Sequence, residues 1–250
     1  MRKTHVRLHV DQPLGEGQAV PLEGGQAHYL FNVMRLRPGD SVVLFNGRDG
    51  EFSARIESAG KRRGVALCTA QLRGMEMPPD LWLLFAPLKK ARTDFIVEKA
   101  VELGVRRIVP VRSAYTNAER FRADRQQARA IEAAEQCGAL YVPQVAPLRP
   151  LESVLEGWEA HRRILFADES RAGRSFALPG GVAGEAPRPS TPGPWAVLIG
   201  PEGGFSQAER ARLARMEAVV PISLGPRILR AETAAIAALS LWQATLGDWQ

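Results

Sequence analysis

Residues 195–216 read WAVLIGPEGGFSQAERARLARM, and their pattern places a β-strand, a glycine-rich turn and a helix in direct succession. WAVLI is a continuous apolar run, as expected of a strand covered on both faces. Gly200, Gly203 and Gly204 come next, and Ser206 with Glu209 three positions on is a capping box that starts a helix. Such a turn at the carboxyl end of a strand lets a ligand approach the backbone and leaves N–H groups free at the helix start. A tight strand–helix turn that binds nothing has the same local pattern, so both readings stay open. The turn is not a Walker A loop, because no Lys-Ser or Lys-Thr follows, and it lacks the GxGxxG of a dinucleotide site. Glu202 within it repels phosphate and favours a ligand that is neutral or cationic at that point.

A second turn of the same kind follows in VVPISLGPRILRAETA, residues 219–234. A short strand runs into Gly225-Pro226, and an apolar piece then leads to a helix start at Glu232-Thr233. Glu232 in a first turn complements the helix dipole, which is a sufficient structural reason for it. Arg230 has no such reason, standing between the apolar pair Ile228-Leu229 and an apolar helix. Two Gly-containing turns at carboxyl ends of strands are where open α/β sheets bind ligands.

Outward from these turns, strands and helices alternate from residue 81 on. LWLLFAPL, RRIVPV (106–111), HRRILFAD (161–168) and WAVLIG read as strands. TDFIVEKAVELG reads as a helix stopped by Gly104, and a basic amphipathic helix is expected over about Ala123–Cys137. A last helix, about Glu232–Leu246, is apolar nearly all round and is expected to be buried. The stretch from Glu169 to Pro194, rich in Gly, Pro and Ser, is expected to be a mobile loop. The alternation predicts a mostly parallel sheet with helices on both faces. Residues 1–72 differ: SVVLF (41–45), EFSARIES (51–58) and VALCTAQL (65–72) form a β-meander, with Asn46-Gly47 as a hairpin signal and one short helix near Gln26–Met34. The expected organisation is a small β-barrel or sandwich over 1–72, a linker over 73–80 containing Pro78-Pro79, and an α/β domain over 81–250.

The 250 residues carry 33 Lys plus Arg against 27 Asp plus Glu, a net charge of +6. That excess suits a polyanionic partner such as nucleic acid. Candidate phosphate contacts are Arg35, Arg37, Arg62 and Arg63 in the first region. Lys89, Lys90 and Arg92 at a strand–helix turn, and Arg120, Arg122 and Arg125 before and along the basic helix, complete the set. For each of them a solvated surface position is the plain alternative. Asp94, Glu98 and Glu102 share one side of a helix, as a solvated face also would. Two cysteines without a CxxC support neither a disulfide framework nor a cysteine-ligated zinc site, and suit a reducing cytoplasm. His5 and His9 alone are a weak metal signal, so no metal is expected. MRKTHVRLHV has no apolar core of a signal peptide, and the longest uncharged stretch, Thr233 to Gly247, is too short for a membrane span of about 18 residues or more.

Taken in order, HYLFNVMRLRPGD, LFNGRDG, KKARTDFIVEKAVELGVRRIVP, EAAEQCGALYVP, LIGPEGGFSQAE and LGPRILRAETA resemble the RsmE family, the small-subunit rRNA uracil-N3 methyltransferases of the SPOUT superfamily. The resemblance spans about residues 5 to 245. It implies a PUA-like β-barrel for RNA followed by a SPOUT α/β domain with a deep trefoil knot. It also implies S-adenosylmethionine held by the knot loops, a homodimer whose site uses both chains, and methylation at N3 of one uridine of 16S rRNA, conventionally U1498. On this chain the cofactor would be held by Phe166 and the loop after it, by Leu198, Ile199, Gly200, Pro201, Gly203 and Gly204, and by Ser223, Leu224, Gly225, Ile228, Leu229 and Thr233. Arg230 would stabilise charge spreading onto O2 and O4 as N3 loses its proton, and Glu202 or Glu232 would take that proton or orient the base. The stretch between Asp168 and Pro194 is longer than the motif requires. Two rival functions are a noncatalytic RNA-binding protein on the same scaffold and a nucleotide-binding enzyme using GPEGG as a phosphate cradle.

Overall fold

A computed structural model describes residues 6–117, 120–172 and 193–249. His5 and most of the stretch expected to be a mobile loop lie outside the described residues. The chain divides into two compact units, Met1–Met77 with Ala134–Val142, and Pro78–Ala133 with Pro143–Gln250.

The first unit contains β1 (Arg7–His9), β2 (Ala19–Glu23), α1 (Gly24–Ala27), β3 (Ser41–Phe45), β4 (Glu51–Ala59) and β5 (Arg63–Arg73). Strands β3, β4 and β5 form the expected antiparallel meander, β2 joins antiparallel to β5, and β1 runs parallel to β3. Alternate residues point inward, and Leu8, Val20, Leu22, Val42, Leu44, Ile56 and Ala66 form the core. The sheet curls, so that Gln12 after β1 reaches Pro21 of β2, at the other edge, with a 3.2 Å bond from Nε2 to the carbonyl. The β3–β4 turn is five residues long and is held by Asn46, whose Oδ1 accepts from the N–H groups of Arg48 and Asp49. The helix expected near Gln26–Met34 is a single α-turn that widens into a π-helical stretch, His28–Val33. Its Gly24-Gly25 start has no side-chain cap, so little fixes a regular α-helix there. Glu51, buried at the end of the meander, pairs with Arg7 and Arg73. Burial pushes its carboxyl up, but the hydrogen bonds from Arg73 and Arg7 outweigh that and hold it below the ordinary value.

The second unit contains β6 (Leu81–Phe85), α2 (Lys90–Glu102), β7 (Arg107–Arg112), α3 (Ala123–Cys137), β8 (Gln144–Val145), β9 (Arg149–Pro150) and α4 (Leu151–Glu156). It continues with β10 (Arg163–Ala167), β11 (Trp195–Ile199), α5 (Gln207–Ala214), β12 (Val219–Ile222) and α6 (Ala231–Leu246). The last residues of α3 belong to the first unit. The sheet order is β12-β10-β11-β6-β7-β8, every pairing is parallel, and β9 joins the end of β7. All five residues of β11 are buried, as a strand covered on both faces requires. Leu84, Val109, Ile164, Phe166 and Leu198 pack on one face with Leu151 and Leu155 of α4 and Leu213 of α5. Helix α6 lies against β10, β11 and α2. It buries Ala231, Ala235, Ala238, Leu239 and Trp242 but leaves Ile236 and Leu241 half-buried. The helix expected to be buried all round therefore has one covered face, the one that packs on the sheet and α2 among the described residues. Because β10, β11 and β12 pair in parallel, their carboxyl ends lie at one edge, where the two sequence-predicted turns meet.

Candidate functional site

Three chain segments line a cleft of about 250 Å³ at that edge. Ala167, Asp168, Glu169 and Ala172 come from the chain after β10. Ile199, Gly200, Pro201, Glu202 and Gly204 come from the turn after β11, and Leu224, Gly225, Arg227, Ile228, Leu229, Arg230, Ala231 and Ala234 from the turn after β12 and the start of α6. The turn after β11 ends as the sequence predicts: Ser206 Oγ accepts from Glu209 N at 3.2 Å, and Glu209 Oε2 accepts from Ser206 N at 2.8 Å. The turn after β12 is pinned by Ser223, whose hydroxyl lies 3.3 Å from both the N–H and the carbonyl of Gly225.

The glycines serve two different needs. A Cβ on Gly200 would stand 2.6 Å from the Phe205 ring, and one on Gly203 would stand 3.0 Å from Tyr115 Cβ. Gly204 has φ +67°, and a Cβ there would collide with the Glu169 carboxylate, itself paired with Arg210 at 2.7 Å. Protein side chains thus fill the space that a Cβ would take at the three glycines of the first turn. Gly225 differs: its φ is +105°, and nothing lies within 4 Å of the Cβ position, so its backbone is open to the cleft.

The remaining cofactor candidates divide by depth. Leu224, Ile228 and Leu229 supply apolar surface, and Ile228 is 77% exposed at the lip. Phe166 and Leu198 are core residues; Phe166 stands edge-on to Phe205, with ring centroids 5.1 Å apart. They hold the strands whose ends form the cleft and do not line it. Thr233 is exposed and lies outside the cleft lining, as does Gly203.

Charge at the cleft centres on Arg92 near the start of α2. Its guanidinium lies 2.6 Å from Glu202 Oε1 and 3.9 Å from Glu232 Oε2. Glu202, 41% exposed, faces the cleft, while Glu232, 15% exposed, does not line it, and its Oε2 is buried without a hydrogen bond. Arg92, a candidate phosphate contact by sequence, is thus matched by carboxylates. Arg230 is exposed at the cleft, and its side chain makes no hydrogen bond or ion pair among the described residues. Asp168 and Glu169, whose side chains the sequence did not single out, add two carboxylates to the lining. The signal available for them was their position directly after a buried strand.

The other basic candidates lie elsewhere. Arg122 pairs with Asp124 at 2.5 Å, and Arg125 lies 3.5 Å from Asp94, so much of their charge is matched locally. Lys89, Lys90 and Arg120 are exposed at the starts of α2 and α3. In the first unit Arg62 and Arg63 line a shallow hollow with Lys61 and His28, while Arg35 and Arg37 are exposed and Arg35 takes a left-handed backbone, φ 58°.

Residues 75–243 match the family described as RNA methyltransferase domain, and residues 22–66 match the RNA methyltransferase PUA domain. The chain is 29% identical over 235 residues to the ribosomal RNA small subunit methyltransferase E of Rickettsia conorii, covering 94% of this chain and 93% of the relative. It is 27% identical over 238 residues to the Bacillus subtilis protein of the same name, covering 92% and 91%. Among solved structures, the ribosomal RNA small subunit methyltransferase E of Neisseria gonorrhoeae bound to S-adenosyl methionine superposes with a TM-score of 0.84 at 31% identity, over 98% of this chain and 100% of that one. A putative methyltransferase of Legionella pneumophila in complex with the same cofactor gives 0.81 at 28% identity, over 98% and 99%.

Proposed function

Because this chain belongs to the RNA methyltransferase family, with a PUA domain ahead of the methyltransferase domain, we propose that it methylates N3 of one uridine of 16S rRNA in the small ribosomal subunit. S-adenosylmethionine is its methyl donor. The observation that carries this reading is the cleft formed by the two turns: open backbone at Gly225, apolar surface from Leu224, Ile228 and Leu229, and carboxylates from Asp168, Glu169 and Glu202.

These residues fit the cofactor. The apolar turn after β12 suits an adenine ring, and the carboxylates in the lining can face a ligand's positive charge. When bound, S-adenosylmethionine supplies a methyl group on a positively charged sulfur. The chain's own task is to orient the base and manage one proton, since methyl transfer needs in-line positioning more than covalent help. Of the two candidate bases, Glu202 and Glu232, Glu202 is the one that lines the cleft, and it receives the N3 proton on its carboxylate oxygen. Arg92 fixes the orientation of Glu202, and Glu232 holds Arg92 from behind. Arg230 places a guanidinium with no internal partner where charge develops on O2 and O4.

The exposed basic residues Arg62, Arg63, Lys89, Lys90 and Arg120 supply RNA affinity in this reading, with the PUA domain as the RNA-binding part. The trefoil knot, a homodimer that covers the half-buried face of α6 and shares its site, and a cytoplasmic location belong to the same proposal. Among the described residues no helix is long and apolar enough to cross a membrane. Calorimetry with S-adenosylmethionine and with ATP tests the proposal against its rivals. S-adenosylmethionine should bind and ATP should not. Binding of ATP alone would instead support a nucleotide-binding enzyme, and binding of neither a noncatalytic RNA-binding protein.

A further inference from the structure

The second unit holds another cavity, of about 360 Å³, on the sheet face that α4 covers. Trp82 and Arg107 are cross-strand neighbours on β6 and β7, and together with Val109 they line it from the sheet. Val154 and Trp158 line it from α4 and the chain just after, and Arg149 contributes from β9. Trp158 is fixed in place: its Nε1 donates to the Arg162 carbonyl at 2.8 Å, and its ring stands edge-on to Trp82 at 6.2 Å.

The charges around this cavity do not balance. Arg162 is fully engaged, by Asp80 at 2.9 Å, Glu159 at 3.1 Å and the Trp82 ring at 3.8 Å. Glu159, the one carboxylate among the lining residues, is taken up by Arg162 and by His161 at 3.6 Å. Arg107 lies over the Trp82 ring at 4.7 Å but makes no hydrogen bond or ion pair among the described residues. Its Nε is buried without a partner. Arg149 brings a second guanidinium, whose only bond among the described residues goes to the Ser153 carbonyl at 3.3 Å. A buried cationic donor with no acceptor costs free energy that an anion in the cavity would remove.

We propose that this cavity binds a nucleoside 5′-phosphate unit, with the phosphate on Arg107 and Arg149 and the base against Trp158. Two guanidiniums suit the geometry of a phosphate, and an indole beside Val109 and Val154 suits a planar base. An aliphatic carboxylate would use the charge and leave the indole uncovered. The unit arrives either as a free nucleotide or as one nucleotide of an RNA strand, and both present the same chemistry. The proposal is independent of methyl transfer, because none of these residues lines the cleft at the two turns.

The test is a titration of the full chain, labelled with ¹⁵N in its indoles, with uridine 5′-monophosphate, uridine and inorganic phosphate. The nucleotide should shift the Trp158 and Trp82 signals saturably and bind more tightly than either fragment. Arg107→Gln and Arg149→Gln should each weaken it about tenfold, the loss of one charge-assisted contact, with S-adenosylmethionine affinity unchanged. Arg149 is exposed, so its variant decides the matter even if Arg107→Gln fails to fold. Competition by a short single-stranded RNA would identify an RNA strand as the source, and nucleotide binding without such competition a free nucleotide. No shift at Trp158, an unchanged affinity in Arg149→Gln, or inorganic phosphate binding as tightly as the nucleotide would each overturn the proposal.

Discussion

Arg92 and Glu202 meet at 2.6 Å at the rim of the cleft, joining the start of α2 to the turn after β11. Both side chains are partly exposed, so the pair adds little to stability, under about 1 kcal/mol. In the proposed reaction its consequence is positional: it would fix the Glu202 carboxylate beside the reacting base.

Arg92→Ala should therefore separate stability from activity. The melting temperature should stay near that of the parent chain, while single-turnover methylation falls at least about tenfold, the scale of one misplaced general base. Arg92→Lys should recover part of the rate, because a lysine restores the charge but not the fork. Thermal melts run beside rapid-quench methylation check this. A collapse in melting temperature would make Arg92 a scaffold residue.

Arg230→Ala should leave folding and S-adenosylmethionine affinity unchanged, since Arg230 is exposed and has no partner among the described residues. Its rate should fall by about 10²–10³, as when one contact to developing charge is removed. Calorimetry with the cofactor and single-turnover kinetics on the same preparation measure the two effects separately.

The two turns should respond differently to a methyl group. Gly204→Ala introduces a Cβ into the Glu169 carboxylate at a positive φ and should destabilise the fold by about 1–3 kcal/mol. Gly225→Val meets no protein atom within 4 Å; its φ of +105° strains a β-branched residue by about 1–3 kcal/mol, and beyond that cost it should act on the ligand, weakening S-adenosylmethionine binding. Denaturant titration and calorimetry distinguish the two. A Gly225→Val chain that is folded and binds the cofactor like its parent would remove that turn from the site.

Acid should weaken the second unit through Asp80. Burial pushes the Asp80 carboxyl up, but the hydrogen bonds from Arg162 outweigh it and hold the group below its ordinary value of 3.8. A carboxyl depressed in the folded state contributes stability that is fully present above 3.8 and is lost as pH falls through the lower, folded value. Arg162 is only 5% exposed, so Arg162→Ala strands Asp80 and should cost about 3 kcal/mol at neutral pH. The loss should shrink below pH 3.8, which melts across a pH series would show.

The sequence made the order of elements in the second unit readable, because its strands are continuous apolar runs and its helices carry local stop and start signals. The capping box of Ser206 and Glu209 forms both of its bonds, since it depends only on residues three apart. The position of the cleft was readable for the same reason: both turns follow buried strands. The pairing of Arg92 with Glu202 was not readable, because it joins segments far apart in the chain and depends on how α2 packs. Nor could the sequence tell that Phe205, Tyr115 and Glu169 crowd Gly200, Gly203 and Gly204, since a glycine marks a close approach without saying what approaches. Composition alone points to a helix α6 buried all round, and composition does not say whether the chain itself supplies the cover.

Nucleoside mass spectrometry decides whether the chain methylates uridine N3 in 16S rRNA. Small ribosomal subunits lacking the modification are incubated with the full chain and isotopically labelled S-adenosylmethionine, and the 16S rRNA is digested to nucleosides. One labelled 3-methyluridine per 16S rRNA is expected, reduced to near background in the Arg230→Ala chain. Label in any other nucleoside, or none at all from a chain that binds the cofactor, would contradict it.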